Sequence, residues 1–421
     1  MSDRDPTPHT HDYRVLQREE IATLLAQWPA VAARLGGQPA QWTVQDVADG
    51  NLNAVYLVEG PLDGLCVKQS LPYVRVAKDD WPLSVERAYF ESAYMQRTEP
   101  FVPGLVPQFL HFDATLRVIV MERLQPHTIL RKSLIEGVRH ADAARAVADF
   151  AAASLFHTSD ISTPFERKFQ DVALFSQNHD LQRITVDLVF IDPYQVHARN
   201  RYASPQLAAV AQSLRDDAAL KAAVATFRNH YLAKPQALLH GDLHSGSVMV
   251  TQTDTRVIDG EFAWVGPIGF DTGMFIANLL MAWYAKAGHS GDTTGYRAWI
   301  LEQIAVFWQR FHAQFLAHWN THGGRGDGYP DSHFDATALP TVQAAFLQDV
   351  WADTLGFTAI EIIRRTIGFS QIADFGAVAD VDLRARQQAA AIALARDLLL
   401  HPARYEDVQA LVSAVPAFGL H

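Results

Sequence analysis

At 421 residues, 49% of them hydrophobic, the chain is long enough for two lobes with ample core. A formal charge of −11 disfavours nucleic-acid partners, and the single cysteine, Cys66, excludes an internal disulfide and a multi-cysteine zinc site. The polar start, MSDRDPTPHTHDYR, lacks the apolar core of a secretory signal. The most apolar run, 268–285, is interrupted by Gly269, Asp271 and Gly273 and reads as a buried helix, not a membrane span. A cytoplasmic protein is expected.

Residues 1–12 read as a disordered tail. A helical period covers 13–35, with a break near Pro29 and an end at Gly36–Gly37. Alternating runs at 42–47, 54–59 and 65–70, joined by turns at 49–51 and 61–64, predict an antiparallel meander in which Cys66 is a small core residue. A loop spans 71–83, and Ser84 is placed to cap a helix through Arg97. Strands at 106–113 and 116–121 complete a β-β-β-α-β-β order, the signature of a small α+β lobe. Beyond Glu122 the period becomes helical, over 141–157, 165–190, 206–233, 291–322, 334–368 and 382–400. Its one β interruption opens the stretch 238–271. The Gly323–Gly328 segment reads as a surface loop whose Arg325–Gly326–Asp327 tripeptide carries no function.

The stretch 238–271 concentrates the chemistry. It reads LLHGDLHSGSVMV, a polar break, then RVIDGEFAWVGPIGFD. Apolar runs flank a tight loop, so Asp242 and Asp259 sit at strand ends, where backbone is exposed yet rigidly held. His240 and His244 are four apart, but Gly241 and Gly246 argue for a loop, and the glutamate of a metalloprotease helix is missing, so zinc is disfavoured. Asp242 suits the task of accepting a hydrogen bond from a substrate hydroxyl. If the backbone stays extended, Asp259 and Glu261 share a face and can address one Mg²⁺, with Gly260 allowing close approach.

The β-rich half supplies matching parts. Asp49-Gly50-Asn51-Leu52-Asn53 lies between two strands, where a loop can cover phosphates. Lys68, in an apolar strand, needs an anionic partner: triphosphate oxygens together with a helix glutamate, Glu91 first and Glu86 second. The alternative is an outward-pointing lysine on an edge strand. Neither a GxxxxGK[ST] loop nor a GxSxG elbow occurs.

In this order, these residues resemble the protein-kinase-like superfamily of small-molecule kinases, which includes aminoglycoside phosphotransferases and choline kinases. The details are similar to the 5-methylthioribose kinases: DGNLN at 49–53, VKQSLPYVRV at 67–76, WPLSVERAYFE at 81–91, HGDLHSGS at 240–247, IDGEFAWVGPIGFD at 258–271 and EIIRRTIG at 361–368. Ser247 stands where most of the superfamily has a metal-binding Asn, and Asp-x-Glu replaces Asp-Phe-Gly or Asp-x-Asp; both variants are typical of methylthioribose kinases. The resemblance implies a bilobal protein-kinase-like α+β fold. A small β-rich N-lobe with one principal helix (13–122) would precede a larger, mainly helical C-lobe (123–421).

The resemblance also implies ATP- and Mg²⁺-dependent phosphorylation of the 1-hydroxyl of 5-methylthioribose in methionine salvage, by a homodimer. Asp242 would be the base. ATP would meet Gly50, Asn51, Asn53, Lys68 and Glu91, with adenine at the hinge of Met121, Glu122 and Leu124. Asp259 and Glu261 would hold the metal. Asn53, Trp81, Asp242, Arg364 and Arg365 would face the substrate, while His240, Ser247 and Asp271 support the loop. Taken alone, the two arginines read as a solvated helix pair. Two further readings remain: a kinase of another small alcohol, such as an aminoglycoside or choline, and a catalytically inactive nucleotide-binding regulator.

Overall fold

The computed structural model describes residues 12–47, 52–74, 78–335 and 337–419. Residues 1–11 of the tail and the Asp49–Asn51 turn therefore lie outside the described residues. The chain forms two compact units, residues 1–126 with Gly260–Phe262, and residues 127–259 with 263–421.

The smaller unit begins with α1 (Arg18–Leu25) and α2 (Pro29–Leu35). Residues 13–17, expected to be helical, lie outside any helix. Their backbone groups are tied to Gln69: its Oε1 accepts from the Leu16 amide at 2.9 Å, and its Nε2 donates to the Arg14 carbonyl at 2.9 Å. Strands β1 (Thr43–Val47), β2 (Asn53–Glu59) and β3 (Gly64–Ser70) form the expected meander. The expected loop at 71–83 contains a short antiparallel pair, β4 (Tyr73–Val74) and β5 (Lys78–Pro82). Helix α3 (Arg87–Thr98) starts three residues later than Ser84, whose Oγ accepts from the Glu86 amide at 3.2 Å and so turns the chain ahead of the helix. Strands β6 (Phe109–Asp113) and β7 (Val118–Glu122) follow.

The five-stranded sheet has the order β1-β2-β3-β7-β6 and is antiparallel at each described pairing. β3 is central, with Lys68 opposite Val55 on one side and Ile119 on the other. One face packs a core including Leu16, Ile21, Leu25, Val58, Val67 and Val120. Cys66, expected to be a small core residue, is partly buried and packs against Ala88, Ile119 and Met121.

The larger unit opens with β8 (Thr128–Ile129), α4 (Leu130–Glu136) and α5 (Ala143–His157). Two predicted helices each divide in two: α6 (Phe165–Phe175) and α7 (His179–Phe190), then α8 (Ala208–Asp216) and α9 (Ala218–Ala233). At the second break, Asp217 caps α9 by accepting from the Leu220 amide at 3.0 Å, a use of Asp that competes with continuous helix. Then come β9 (Ala237–Leu239), β10 (Val248–Val250), β11 (Thr255–Val257) and β12 (Trp264–Gly266). These form the sheet β11-β10-β8 and the pair β12-β9, so β8 adds a strand that periodicity did not reveal. The chain ends with α10 (Ile268–Lys286), α11 (Thr293–His322), α12 (Ala338–Ile367), α13 (Ala373–Gly376), α14 (Val381–Leu400) and α15 (Val408–Ala414).

α10 is buried along its whole length, as its apolar run predicts. It meets α12 at very short range through Gly269 and Gly273. A Cβ on Gly269 would lie 2.4 Å from Asp353 Cβ and 2.6 Å from the Thr354 amide nitrogen. The Arg325–Gly326–Asp327 loop has a structural use: the Gly326 amide donates to the Ile161 carbonyl, and Asp327 Oδ2 accepts from the Phe165 amide at 2.7 Å. Among the described residues, no helix is long and apolar enough to cross a membrane.

A methyl group at Gly269 meets backbone rather than a movable side-chain tip. Gly269→Ala should therefore cost about 1–3 kcal/mol of stability, read as a lowered midpoint in urea denaturation; an unchanged midpoint would contradict the close helix contact.

Candidate active site

In the larger unit the loop between β9 and β10 carries the 240–247 motif. Gly241 adopts φ 80°, a left-handed conformation that glycine takes without steric cost. The turn leaves backbone amides pointing inward, and Asp271, in the first turn of α10, collects two of them. Its Oδ2 accepts from the His240 amide at 2.7 Å and its Oδ1 from the Gly241 amide at 2.9 Å. Burial pushes the Asp271 carboxyl above its ordinary range, partly offset by these bonds and by His240. His240 accepts from the Asp242 amide on Nδ1 (3.3 Å), so its Nε2–H donates to the Ile258 carbonyl (2.9 Å). Ser247 Oγ donates to the Asp242 carbonyl at 2.9 Å, closing the loop from its other end.

Asp242 is half-buried at the centre. His244 Nδ1 accepts from the Gly246 amide at 3.0 Å, which leaves its Nε2–H facing Asp242 Oδ2 at 3.3 Å. The other carboxylate oxygen lies 3.6 Å from the Arg365 guanidinium. Burial alone would raise the Asp242 carboxyl; the facing His244 ring, which donates its Nε2–H, and the positive charges of Arg365 and Arg364 outweigh it and hold the group below the usual carboxylate range.

The arginine pair is not solvated. Both side chains are buried on α12, and both converge on Glu361 one turn earlier. Arg364 Nε donates to Glu361 Oε2 at 3.0 Å, and Arg365 Nε to Oε1 at 2.7 Å. Arg365 also donates to the Ser370 carbonyl at 3.2 Å. Behind the loop, Arg131 of α4 donates to Ser245 Oγ (3.2 Å) and Asn278 Oδ1 (2.9 Å) and lies 3.6 Å from the buried Asp374 carboxylate. Burial raises Asp374 to about 6 against the pull of Arg131.

In the smaller unit Lys68 is buried on the central strand, and its Nζ donates to Glu91 Oε1 on α3 at 2.8 Å. Glu86 has a different partner, the Arg117 guanidinium at 2.6 Å. The edge-strand reading of Lys68 is thus excluded. Asn53 Nδ2 donates to Glu261 Oε2 at 2.9 Å, and Arg87 approaches the same oxygen at 3.5 Å. Arg87 also donates to the carbonyls of Leu71 (2.8 Å), Ser84 (2.7 Å) and Leu52. Trp81 is half-buried on β5. Met121 and Glu122 end β7, with Leu124 just beyond, and the Glu122 carboxylate accepts from the Gln108 amide at 3.0 Å.

One expectation fails. Asp259 and Glu261 do not alternate along an extended strand. β11 ends at Val257, Asp259 takes φ 72°, and Gly260–Phe262 form a single 3₁₀ turn. Asp tolerates the left-handed region better than most residues, which permits the reversal. A Cβ on Gly260 would lie 2.4 Å from the Tyr94 ring, so the close approach expected of this glycine is made to α3. Asp259 is exposed, whereas Glu261 is buried.

Sequence reasoning missed His244, Glu361, Arg131 and Asp374 as parts of these networks, and passed over Arg87. Arg87 did carry a signal: a cation in the first turn of a helix opposes the helix dipole and so calls for acceptors elsewhere. Glu361, at i−3 and i−4 from the two arginines, was also legible as their partner.

A buried Lys–Glu pair linking sheet and helix, with an aspartate presented on a braced polar loop of a helical unit, defines a kinase-like phosphotransferase. Residues 43–299 match the model of the phosphotransferase enzyme family (APH). Methylthioribose kinase 2 of Oryza sativa subsp. japonica is 38% identical over 412 residues, 96% of each chain. Methylthioribose kinase of Escherichia coli O45:K1 is 35% identical over 96% of this chain and 97% of its own. The chain belongs to the methylthioribose kinase family.

Removing the charge of Glu361 would leave two buried guanidinium groups without their shared anion. Glu361→Gln should lose about 3–5 kcal/mol of stability, the usual cost of breaking a buried ion pair, measured by urea denaturation. A loss below about 1 kcal/mol, the scale of a surface pair, would refute this account of the arginine pair.

Proposed function

We propose that this chain transfers the γ-phosphoryl group of ATP to the 1-hydroxyl of 5-methylthioribose, giving 5-methylthioribose 1-phosphate, a step of methionine salvage. The likeness to methylthioribose kinases along 96% of both chains carries the reading. Phosphoryl transfer depends on alignment and charge stabilisation more than on covalent help.

In this reading Asp242 accepts the hydrogen bond of the attacking hydroxyl and takes its proton as the new P–O bond forms. An anomeric hydroxyl is more acidic than an ordinary alcohol, so a weak base suffices. His244 and Arg365 each address one Asp242 oxygen, which fixes the carboxylate's rotation and therefore the direction of attack. His240, Ser247 and Asp271 hold the loop beneath it. Arg364 and Arg365, with Trp81 and Asn53, serve the acceptor. Two guanidinium groups sharing one glutamate favour a neutral sugar or a developing phosphate over a cationic acceptor such as choline or an aminoglycoside.

Lys68, oriented by Glu91, is assigned to the ATP phosphates. Gly50, Asn51 and Asn53 cover them, and Met121, Glu122 and Leu124 receive adenine. Asp259 and Glu261 are assigned to Mg²⁺. The donor set fits a hard cation, since both residues offer carboxylate oxygens. When bound, the ion neutralises triphosphate charge. Asn53 and Arg87 fix the orientation of Glu261 for that task.

A panel of 5-methylthioribose, ribose, choline and kanamycin, each with ATP and Mg²⁺, tests the reading. Only the first should turn over efficiently; faster turnover of choline or kanamycin would replace it. Asp242→Asn should lower kcat by about 100- to 10,000-fold with little change in KM for ATP, and near-normal turnover would remove Asp242 from its role. Because Asp242 lies below the usual carboxylate range, it should contribute no acid limb to the pH–kcat profile above about pH 5. Any limb seen there should persist in enzymes altered elsewhere in the loop.

A further inference from the structure

We propose that His157, His318 and His322 form a binding site for a divalent transition ion of the zinc class. None of the three has a part in the phosphoryl transfer described above. The stretch His318-Trp-Asn-Thr-His322 places two imidazoles one turn apart on the same face of α11. α5 ends at His157 and delivers a third. One ring nitrogen from each residue lies within 4.8 Å of the other two. The His157 ring is 5.0 Å from that of His318 and 5.3 Å from that of His322, centroid to centroid.

Tetrahedral zinc with nitrogen ligands at 2.0–2.1 Å brings neighbouring donors to about 3.4 Å of one another. Closing a spacing of at most 4.8 Å to that value takes about 1.4 Å or less of side-chain movement. All three residues are partly exposed, so an ion has a route in. His318 is already oriented, its ring stacked on buried Phe156 at 5.7 Å and 19°. Three protein nitrogens leave a fourth position for water. Imidazole donors favour zinc, copper or nickel over magnesium, so this site selects a different ion from the carboxylates of the phosphoryl-transfer reading. A bound ion would clip the last turn of α5 to the last turns of α11, beside the Gly323–Gly328 loop.

The full-length, tag-free protein, stripped with EDTA and dialysed, provides the test. Isothermal titration with Zn²⁺ should show one equivalent bound with a Kd in the micromolar range or tighter. Co²⁺ should give the intense visible absorption of tetrahedral coordination. The double variant His318→Gln/His322→Gln should lose both signals while keeping wild-type circular dichroism and kinase activity, and His157→Gln should weaken Zn²⁺ at least tenfold. Equal Zn²⁺ binding by wild type and the double variant would overturn the proposal. So would the absence of binding below millimolar Zn²⁺, or an octahedral, weakly absorbing Co²⁺ spectrum.

Discussion

The acceptance of two successive backbone amides by Asp271 is the constraint on which the helical unit's chemistry rests. A loop that turns through a left-handed glycine leaves amides with no ladder to join, and buried amides without acceptors are costly. Asp271 supplies both acceptors from the rigid start of a wholly buried helix. Everything displayed on that loop inherits its position: the His240 ring, the Asp242 carboxylate, and the His244 ring that faces it. A helix held against α12 by two glycines thus becomes the reference frame for a single carboxylate.

Both units solve the same electrostatic problem in different ways. Buried charges are tolerated when paired and hydrogen-bonded, and each pairing removes rotational freedom from the groups involved. Glu361 holds two arginines, one of which reaches Asp242; Glu91 holds Lys68 at mid-strand; Asn53 and Arg87 hold Glu261. These arrangements are weak sources of net stability. Their product is orientation, which phosphoryl transfer requires more than it requires strong acids or bases. Mutation at a supporting residue should therefore disturb geometry before it disturbs charge.

Much of this was legible in the chain itself. Alternation gave the meander, and an apolar strand containing Lys68 demanded an anion. The 240–247 and 258–271 runs marked where carboxylates gather. What was not legible followed from interactions between distant segments. Gln69 drew residues 13–17 out of helix, although their own periodicity was helical. Asp217 divided a helical pattern by capping. The left-handed Asp259 broke the alternation assumed for the metal carboxylates, because the chain turns there toward Tyr94 of α3.

By itself, then, the sequence determined the kinds of element, the location of the acidic loop and the family, since each is written in local spacing and residue type. Tertiary structure alone decided the pairings between segments far apart in the chain. The Asn53–Glu261 bond joins residues 208 positions apart, and the Asp242 carboxylate is held by an arginine from a helix more than a hundred residues downstream. Local propensity carries no information about such pairs. They form because burial makes an unpartnered charge costly, and only the folded chain determines which partners are within reach.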